Sequence, residues 1–190
     1  RAIKVTDDII DIFDVRPNDV FTKLFRGSEK HIDILTTNLE TITDCDVFID
    51  SGLRTHPELK IRILALDPCH PFVRNRIESD NIYDDPSYFF IKIISSLRKF
   101  TNLKAKLKEK GERLQVKIFH SPPSLMIYRF DDNILIGFIL KQNSSRYYTH
   151  FLLRKSHELN SCFMEHFEML FESSKDVSTK DLELMKLHGS

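Results

Sequence analysis

The segment from Arg113 to Phe138, RLQVKIFHSPPSLMIYRFDDNILIGF, constrains the fold of this chain more than any other. Leu114 to Phe119 reads as a buried strand that ends at His120. Leu125–Phe130 and Ile134–Leu140 are two β-rich runs around Asp131-Asp132-Asn133, residue types that suit a tight turn. They predict an antiparallel hairpin, so any sheet that holds them is not purely parallel.

The pattern upstream is different. Pro17-Asn18-Asp19 opens a helical stripe of Val20, Phe21, Leu24 and Phe25 that Gly27 ends. His31–Thr36 and Leu59–Leu66 read as strands, with a short helix over Cys45–Leu53 between them. Asp67-Pro68-Cys69-His70-Pro71 breaks the chain, and a short helix is expected to follow as far as Glu78. Pro86-Ser87 opens the longest helix, with Phe90, Ile93, Leu97, Phe100 and Leu107 on one side and Gly111 as its stop. Beyond the hairpin, Tyr147–Arg154 is a further strand. Ser156 caps a last helix with the stripe Leu159, Phe163, Phe167, Leu170 and Phe171. Strands separated by helices favour parallel pairing through right-handed crossovers. The predicted fold class is therefore α/β, a mixed and partly parallel sheet with helices on both faces. Residues 1–16 read as a lead-in or linker, 17–174 as the domain and 175–190 as a polar tail that frays.

Composition removes several function classes. The chain has 190 residues, 41% hydrophobic and 29% charged, enough for one domain with a sizeable core. Its formal net charge is zero, so no overall field draws it to nucleic acid or to an anionic membrane. No apolar run reaches the roughly 18 residues that a membrane helix needs, and no membrane partner is expected. Cys45, Cys69 and Cys162 are odd in number and form no CxxC pair, which points to a reducing, cytoplasmic compartment. The chain begins at Arg1 and is expected to be a piece of a longer protein with attached domains.

Ligands of open α/β sheets gather beyond the carboxyl ends of the parallel strands. The polar residues there are Thr36, Thr37 and Asn38, then Asp67 and His70, then His120 and Ser121. Such residues also suit ordinary turns. Arg129 could clamp a phosphate through its fork of donors, with Asp131 orienting it, or could pair with Asp131 and Asp132 to fix the hairpin. Cys162 and His166 lie four apart on the last helix near His157, but no further ligands accompany them, and neither metal nor cofactor is expected. The basic run from Arg98 to Lys117 has the charge to meet nucleic-acid phosphates, although Glu109 and Glu112 interrupt it and a solvated helix face has the same pattern.

VKIFH at 116–120, IYRFDD at 127–132, HFLLRK at 150–155, FMEHFEMLFESS at 163–174 and LKIRILALDP at 59–68 together resemble one half of a phospholipase D-type domain. More narrowly, they resemble the phospholipase D-like domains that follow helix-turn-helix modules in bacterial regulators. The resemblance covers roughly residues 17–174, and IYRFDD is its most specific piece. It implies a catalytic His-x-Lys-x4-Asp motif before the hairpin. Counting back from Asp131 puts Ser124 at the His position and Met126 at the Lys position. Neither can attack phosphorus or neutralise a transition state.

Three readings follow. The first is a catalytically degenerate sensor or assembly module of a larger regulatory protein, binding a phosphate-bearing small ligand or pairing as a homodimer. Its candidate ligand contacts are His120, Ser121, Arg129, Asp131, Asn38, Asp67 and His70. The second is a phosphodiesterase or nuclease with a rearranged site around His120, Arg129 and Asp131. The third is a plain protein-interaction domain.

Overall fold

Two kinds of strand pairing meet in one sheet, as the contrast between the early and late halves of the sequence requires. A computed structural model of the chain describes residues 9–37, 39, 42, 44–73, 86–121, 124–139, 149–154 and 158–188, with backbone alone for 86–89, 158 and 184–188. The elements in chain order are β1 (Ile9–Phe13), α1 (Asn18–Gly27), β2 (His31–Thr36), α2 (Asp46–Thr55), β3 (Lys60–Leu66) and α3 (Pro86–Leu107), which a 3-10 helix (Lys108–Arg113) extends. Then come β4 (Leu114–Phe119), β5 (Leu125–Phe130), β6 (Asn133–Phe138), β7 (His150–Arg154), α4 (Glu158–Ser173), β8 (Lys175–Asp176) and α5 (Thr179–His188).

The strands form one eight-stranded sheet in the order β1-β7-β6-β5-β2-β3-β4-β8. β2, β3 and β4 are parallel neighbours. β5 runs antiparallel to β2, and β5, β6, β7 and β1 continue antiparallel. The mixed sheet expected from the sequence is thus present.

Side-chain alternation splits the sheet into two faces. Ile32 and Ile34 share one face with Tyr128 and Phe130 through cross-strand register. Helix α1 covers that face. Phe21 and Phe25, four residues apart, are 2% and 3% exposed. Phe21 meets Tyr128 and Phe130 edge-on at 5.2 and 5.3 Å, a preferred aromatic geometry. Helix α2 packs beside α1 and is tied to α3 by Lys99–Asp46 and Lys106–Asp50. Arg113 reaches the carbonyl oxygens of Leu53, His56, Pro57 and Leu59 at 2.5 to 3.1 Å. That places a cation on the carbonyls that α2 leaves open at its carboxyl end. Helix α4 lies on the opposite face.

Several expectations change. Gly111 does not end the long helix in a left-handed cap; its φ is not positive, and the chain continues as the 3-10 helix. A Cβ at Gly111 would collide with the Lys104 carbonyl, so the glycine serves a close approach instead. The second hairpin strand is Asn133–Phe138, shorter than expected. Residues 175–188 do not fray. Lys175 and Asp176 pair with Ile118 and Lys117 as an edge strand. Ser178 and Asp181 then exchange side-chain-to-backbone hydrogen bonds at the start of α5, and Leu182 is fully buried. This is a capping box with aspartate in the acidic place. The hydrogen bonds from Lys175 and Ser178 hold the Asp181 carboxyl down at about 2. Likewise, β1 is part of the sheet, paired with β7. The stretch from Arg74 toward Glu78, Leu140, the start of the Tyr147 strand and the Ser156 cap lie outside the described residues.

The hairpin is anchored at its tip. Asp131 has φ 50°, a left-handed conformation that Asp tolerates better than most residues. Its carboxylate accepts the backbone N–H groups of Glu29, Lys30 and His31 at 2.9, 2.9 and 2.7 Å. Burial opposes ionisation of this carboxyl, but the three donors outweigh it and hold its pKa below the ordinary value. Asp131→Ala is expected to lower the unfolding free energy by about 3 kcal/mol in urea titrations at pH 7, with Asp131→Asn losing less because one oxygen acceptor remains. Because the folded pKa is depressed, this stabilisation is present above the ordinary carboxyl value and is lost as pH falls through the folded one. The gap between wild type and Asp131→Ala should therefore narrow in the same titration at acid pH.

Candidate functional site

Parallel strands bring their carboxyl ends to one rim, and here three of them do so side by side. β2 ends at Thr36 and Thr37, β3 at Asp67 and β4 at His120. The Asp67 N–H donates to the Phe119 carbonyl at 2.9 Å, which stitches the last two ends together. Asp67 Oδ2 then lies 2.9 Å from His120 Nδ1. Its other oxygen, Oδ1, accepts the Cys69 N–H at 2.9 Å. The carboxylate is thus fixed at both oxygens, and the Asp67 side chain is 12% exposed while that of His120 is 59% exposed. His70 is half-buried, its Nδ1 accepting the Phe72 N–H at 3.0 Å. Thr36 and Thr37 are buried and Ser121 is exposed.

Because β5 is antiparallel to β2, its first residues come to this rim and its last residues to the opposite end of the sheet. Ser124 is exposed just before β5. Met126 is 1% exposed and lies opposite Gly137 on β6, which lies opposite His150 on β7. A Cβ at Gly137 would stand 2.8 Å from Met126 Cε and 2.7 Å from His150 Nε2. The glycine makes the room in which the thioether and the imidazole pack. Tyr128 Oη donates to Met126 Sδ at 3.6 Å. The position that the resemblance assigns to a catalytic lysine is therefore filled by a packed apolar side chain.

Arg129 and Asp131 are not at this rim. Five residues of strand at about 3.3 Å each separate Arg129 from Ser124, roughly 16 Å. Arg129 does not pair with the carboxylate of Asp131 or Asp132 as the hairpin-brace reading had it. Its Nε donates to the Asp131 carbonyl at 3.0 Å, and its Nη1 reaches Asp33 Oδ2 at 3.1 Å. Asp33 is 1% exposed. Its other oxygen receives Arg62 Nε at 2.6 Å, and the two Arg62 terminal nitrogens clamp Glu168 of α4 at 2.7 Å each. The same guanidinium lies over the rings of Phe167 and Phe171 at 4.9 and 5.1 Å. Burial works against the charge on Arg62, but the hydrogen bonds from Asp33 and Glu168 outweigh it and raise its pKa further.

The structure thus brings Asp67, His70, His120 and Ser121 to one rim, sends Arg129 and Asp131 to the other end, and leaves Asn38 outside the described residues. The sequence reading missed the charge network that Asp33, Arg62 and Arg129 form across β2, β3 and β5. It also missed Gly137 and His150 as the packing partners of Met126. Among the described residues, no group of three or more His, Cys, Asp or Glu could hold a metal ion, and no helix is long and apolar enough to cross a membrane. A recess of about 280 Å3 between α1 and α2, lined by Phe25, Arg26, Phe48 and His56, contains none of the candidate ligand contacts read from the sequence.

The sequence matches no protein-family model and no curated protein. Solved structures do match. Phosphatidylserine synthase of Haemophilus influenzae Rd KW20 aligns with a TM-score of 0.56 at 18% identity, over 84% of this chain and 36% of that one. Nuc of Salmonella typhimurium, a phospholipase D family member, aligns with a TM-score of 0.54 at 9% identity, over 89% of this chain and 99% of that one. The fold is phospholipase D-like. TrmBL2, an archaeal chromatin protein with a novel mode of DNA binding, has the same kind of similarity, with a TM-score of 0.54 at 13% identity. It is matched over 92% of this chain and 57% of its own length, so this phospholipase D-like chain spans little more than half of it.

In this phospholipase D-like sheet the Arg62 fork joins three strands' worth of charge to α4. Arg62→Met is expected to lower the unfolding free energy by about 3 to 5 kcal/mol, since it strips one of two partners from a buried carboxylate. In chemical denaturation Arg62→Met combined with Asp33→Asn should recover part of that loss; a double variant as unstable as the sum of the singles would contradict this account.

Proposed function

We propose that this is a catalytically degenerate phospholipase D-like domain that serves a larger regulatory protein as a ligand-sensing or assembly module. The observation that carries this reading is Met126, 1% exposed and wedged beside Gly137 and His150 where the motif calls for a lysine. With Ser124 at the histidine position as well, the pair that forms and stabilises a phosphoenzyme intermediate has no counterpart in the hairpin. The rim is retained, with Asp67, His70, His120 and Ser121 available to a ligand. The proposed ligand is a small molecule bearing phosphate, and the proposed assembly is a homodimer in the cytoplasm. That the chain spans 57% of TrmBL2 and 36% of the synthase supports attached domains. The DNA binding of TrmBL2 supports DNA as the target of such a regulator.

A second reading is favoured by one contact. Asp67 on His120 Nδ1 at 2.9 Å is the arrangement that orients an imidazole for proton transfer, which a rearranged phosphodiesterase or nuclease would need.

A thermal-shift screen of nucleotides and phosphorylated metabolites tests the first reading. At least one compound should raise the melting temperature by several degrees at saturation, and His120→Ala should abolish the shift. Absence of any shift, together with a monomer in light scattering, removes both arms of the module. Turnover of bis(4-nitrophenyl) phosphate or single-stranded DNA by wild type, lost in His120→Ala, would move the conclusion to the enzyme.

A further inference from the structure

We propose that the recess between α1 and α2 is a ligand site in its own right, and that it takes a small aromatic acid: one ring with a carboxylate on one side and a hydrogen-bond donor, such as a hydroxyl, on the other. The site is separate from the rim. Ile32, which lines it, stands four residues of β2 before Thr36, roughly 13 Å at about 3.3 Å each. The inference does not depend on the reading of the rim.

Three observations carry it. First, the walls of the recess are pinned from outside it. The turn after α1 gives the N–H groups of Glu29, Lys30 and His31 to the Asp131 carboxylate. The turn after α2 gives the carbonyls of His56, Pro57 and Leu59 to Arg113, which also takes that of Leu53. Between walls set in this way, about 280 Å3 is more than a packing defect and just under the size of a pocket for a drug-sized ligand. The occupant is therefore small, and its polar contacts come from side chains.

Second, the lining is divided. Phe25, Ile32 and Leu59 are 3%, 1% and 1% exposed and make the deep side apolar. Gly52 adds no side chain to it; a Cβ there would stand 2.9 Å from Leu59 Cδ2. On the outer side Arg26 is exposed, its guanidinium carbon 4.2 Å from the centre of the Phe48 ring. A guanidinium held over a ring keeps its donors at its edge, where a carboxylate can take two of them. A bare helix carboxyl end would repel that anion. Here Arg113 covers the carbonyls of α2, and Arg26 itself sits in the last turn of α1. Two of the lining side chains are rings, which suits a ring as the body of the ligand.

Third, two hydroxyls of the lining have their protons committed. Ser28 Oγ donates to the Leu24 carbonyl at 2.8 Å, and Thr55 Oγ1 to the Ser51 carbonyl at 2.9 Å. What they offer an occupant is lone pairs, so the ligand brings the donor. Ser28 is 4% exposed, which places that acceptor on the deep side.

Amide correlation spectra of the labelled chain, titrated with 4-hydroxybenzoate, benzoate and 4-hydroxybenzamide, test this. With 4-hydroxybenzoate the amides of Ser28, Gly52 and Thr55 should shift and saturate, while those of Asp67 and His120 stay in place. The benzamide, which lacks the charge, should bind about tenfold more weakly, and benzoate, which lacks the donor, about fivefold more weakly. Arg26→Met should cost 4-hydroxybenzoate about tenfold and leave 4-hydroxybenzamide nearly unchanged, a split that a loss of structure does not produce. No saturable shift from any of the three probes at millimolar concentration overturns the proposal. So does binding to which Arg26→Met is indifferent, and so do shifts confined to Asp67 and His120.

Discussion

A carboxylate buried at the centre of a sheet has to be neutralised where it stands, and Asp33 is 1% exposed. It does so through its two neighbours in register, Arg62 on β3 and Arg129 on β5. One partner belongs to the parallel half of the sheet and the other to the antiparallel half, so a single residue ties the two together. Arg62 carries the connection on to Glu168, which seats α4. Two arginines and two acids close the charge balance without a net burden on the interior. The network also fixes register. Slipping β2 or β5 by one residue would turn the charged groups onto the face that Phe21 and Phe25 cover, where nothing can neutralise them.

That arrangement divides the work of the sheet by position along the strands. The middle holds the charge network. The end where β2 begins is closed by Asp131, which takes three backbone donors from the turn after α1. The carboxyl end of the parallel strands holds Asp67 and His120, which meet each other across the ends of β3 and β4. IYRFDD, the most recognisable hexapeptide in the chain, is therefore a structural signature: its Tyr and Phe pack on α1, its Arg satisfies Asp33 and its first Asp anchors the hairpin tip. Recognisability and function separate here, because the residues that make the fold identifiable are those that stabilise it.

The legibility of the fold in the sequence follows the range of the interactions involved. Helix α1, the three parallel strands and the hairpin are set by local periodicity and turn chemistry, and these elements lie where the patterns put them. The partners of Arg129 were not legible, because an arginine two and three residues from two aspartates looks locally paired, whereas its acid is Asp33, on a strand almost a hundred positions away. Gly111 reads as a helix stop because that is a glycine's commonest task near a helix end; here it lets the 3-10 turn pass close to the Lys104 carbonyl of the preceding helix. The C-terminal end was misjudged for a related reason. Two residues of strand and one capping box carry little periodicity, and only Leu182 reveals that the tail returns to the core. Of the rim, the residues were legible as strand ends, but the Asp67–His120 contact depends on β3 and β4 being neighbours, which the sequence order allowed without requiring.

The packing around Met126 bears on the proposed degeneracy of the hairpin site. Met126 is accommodated because Gly137 lacks a Cβ, and the same gap admits the ring of His150. A lysine at 126 would place an ammonium group among a thioether's neighbours, the fully buried imidazole of His150 and the hydroxyl of Tyr128. Burying that charge without a carboxylate costs more than a single hydrogen bond returns. The three positions form one row across β5, β6 and β7, so a lysine at the hairpin would require the row to change together, whereas His120, just past β4, is free of that constraint.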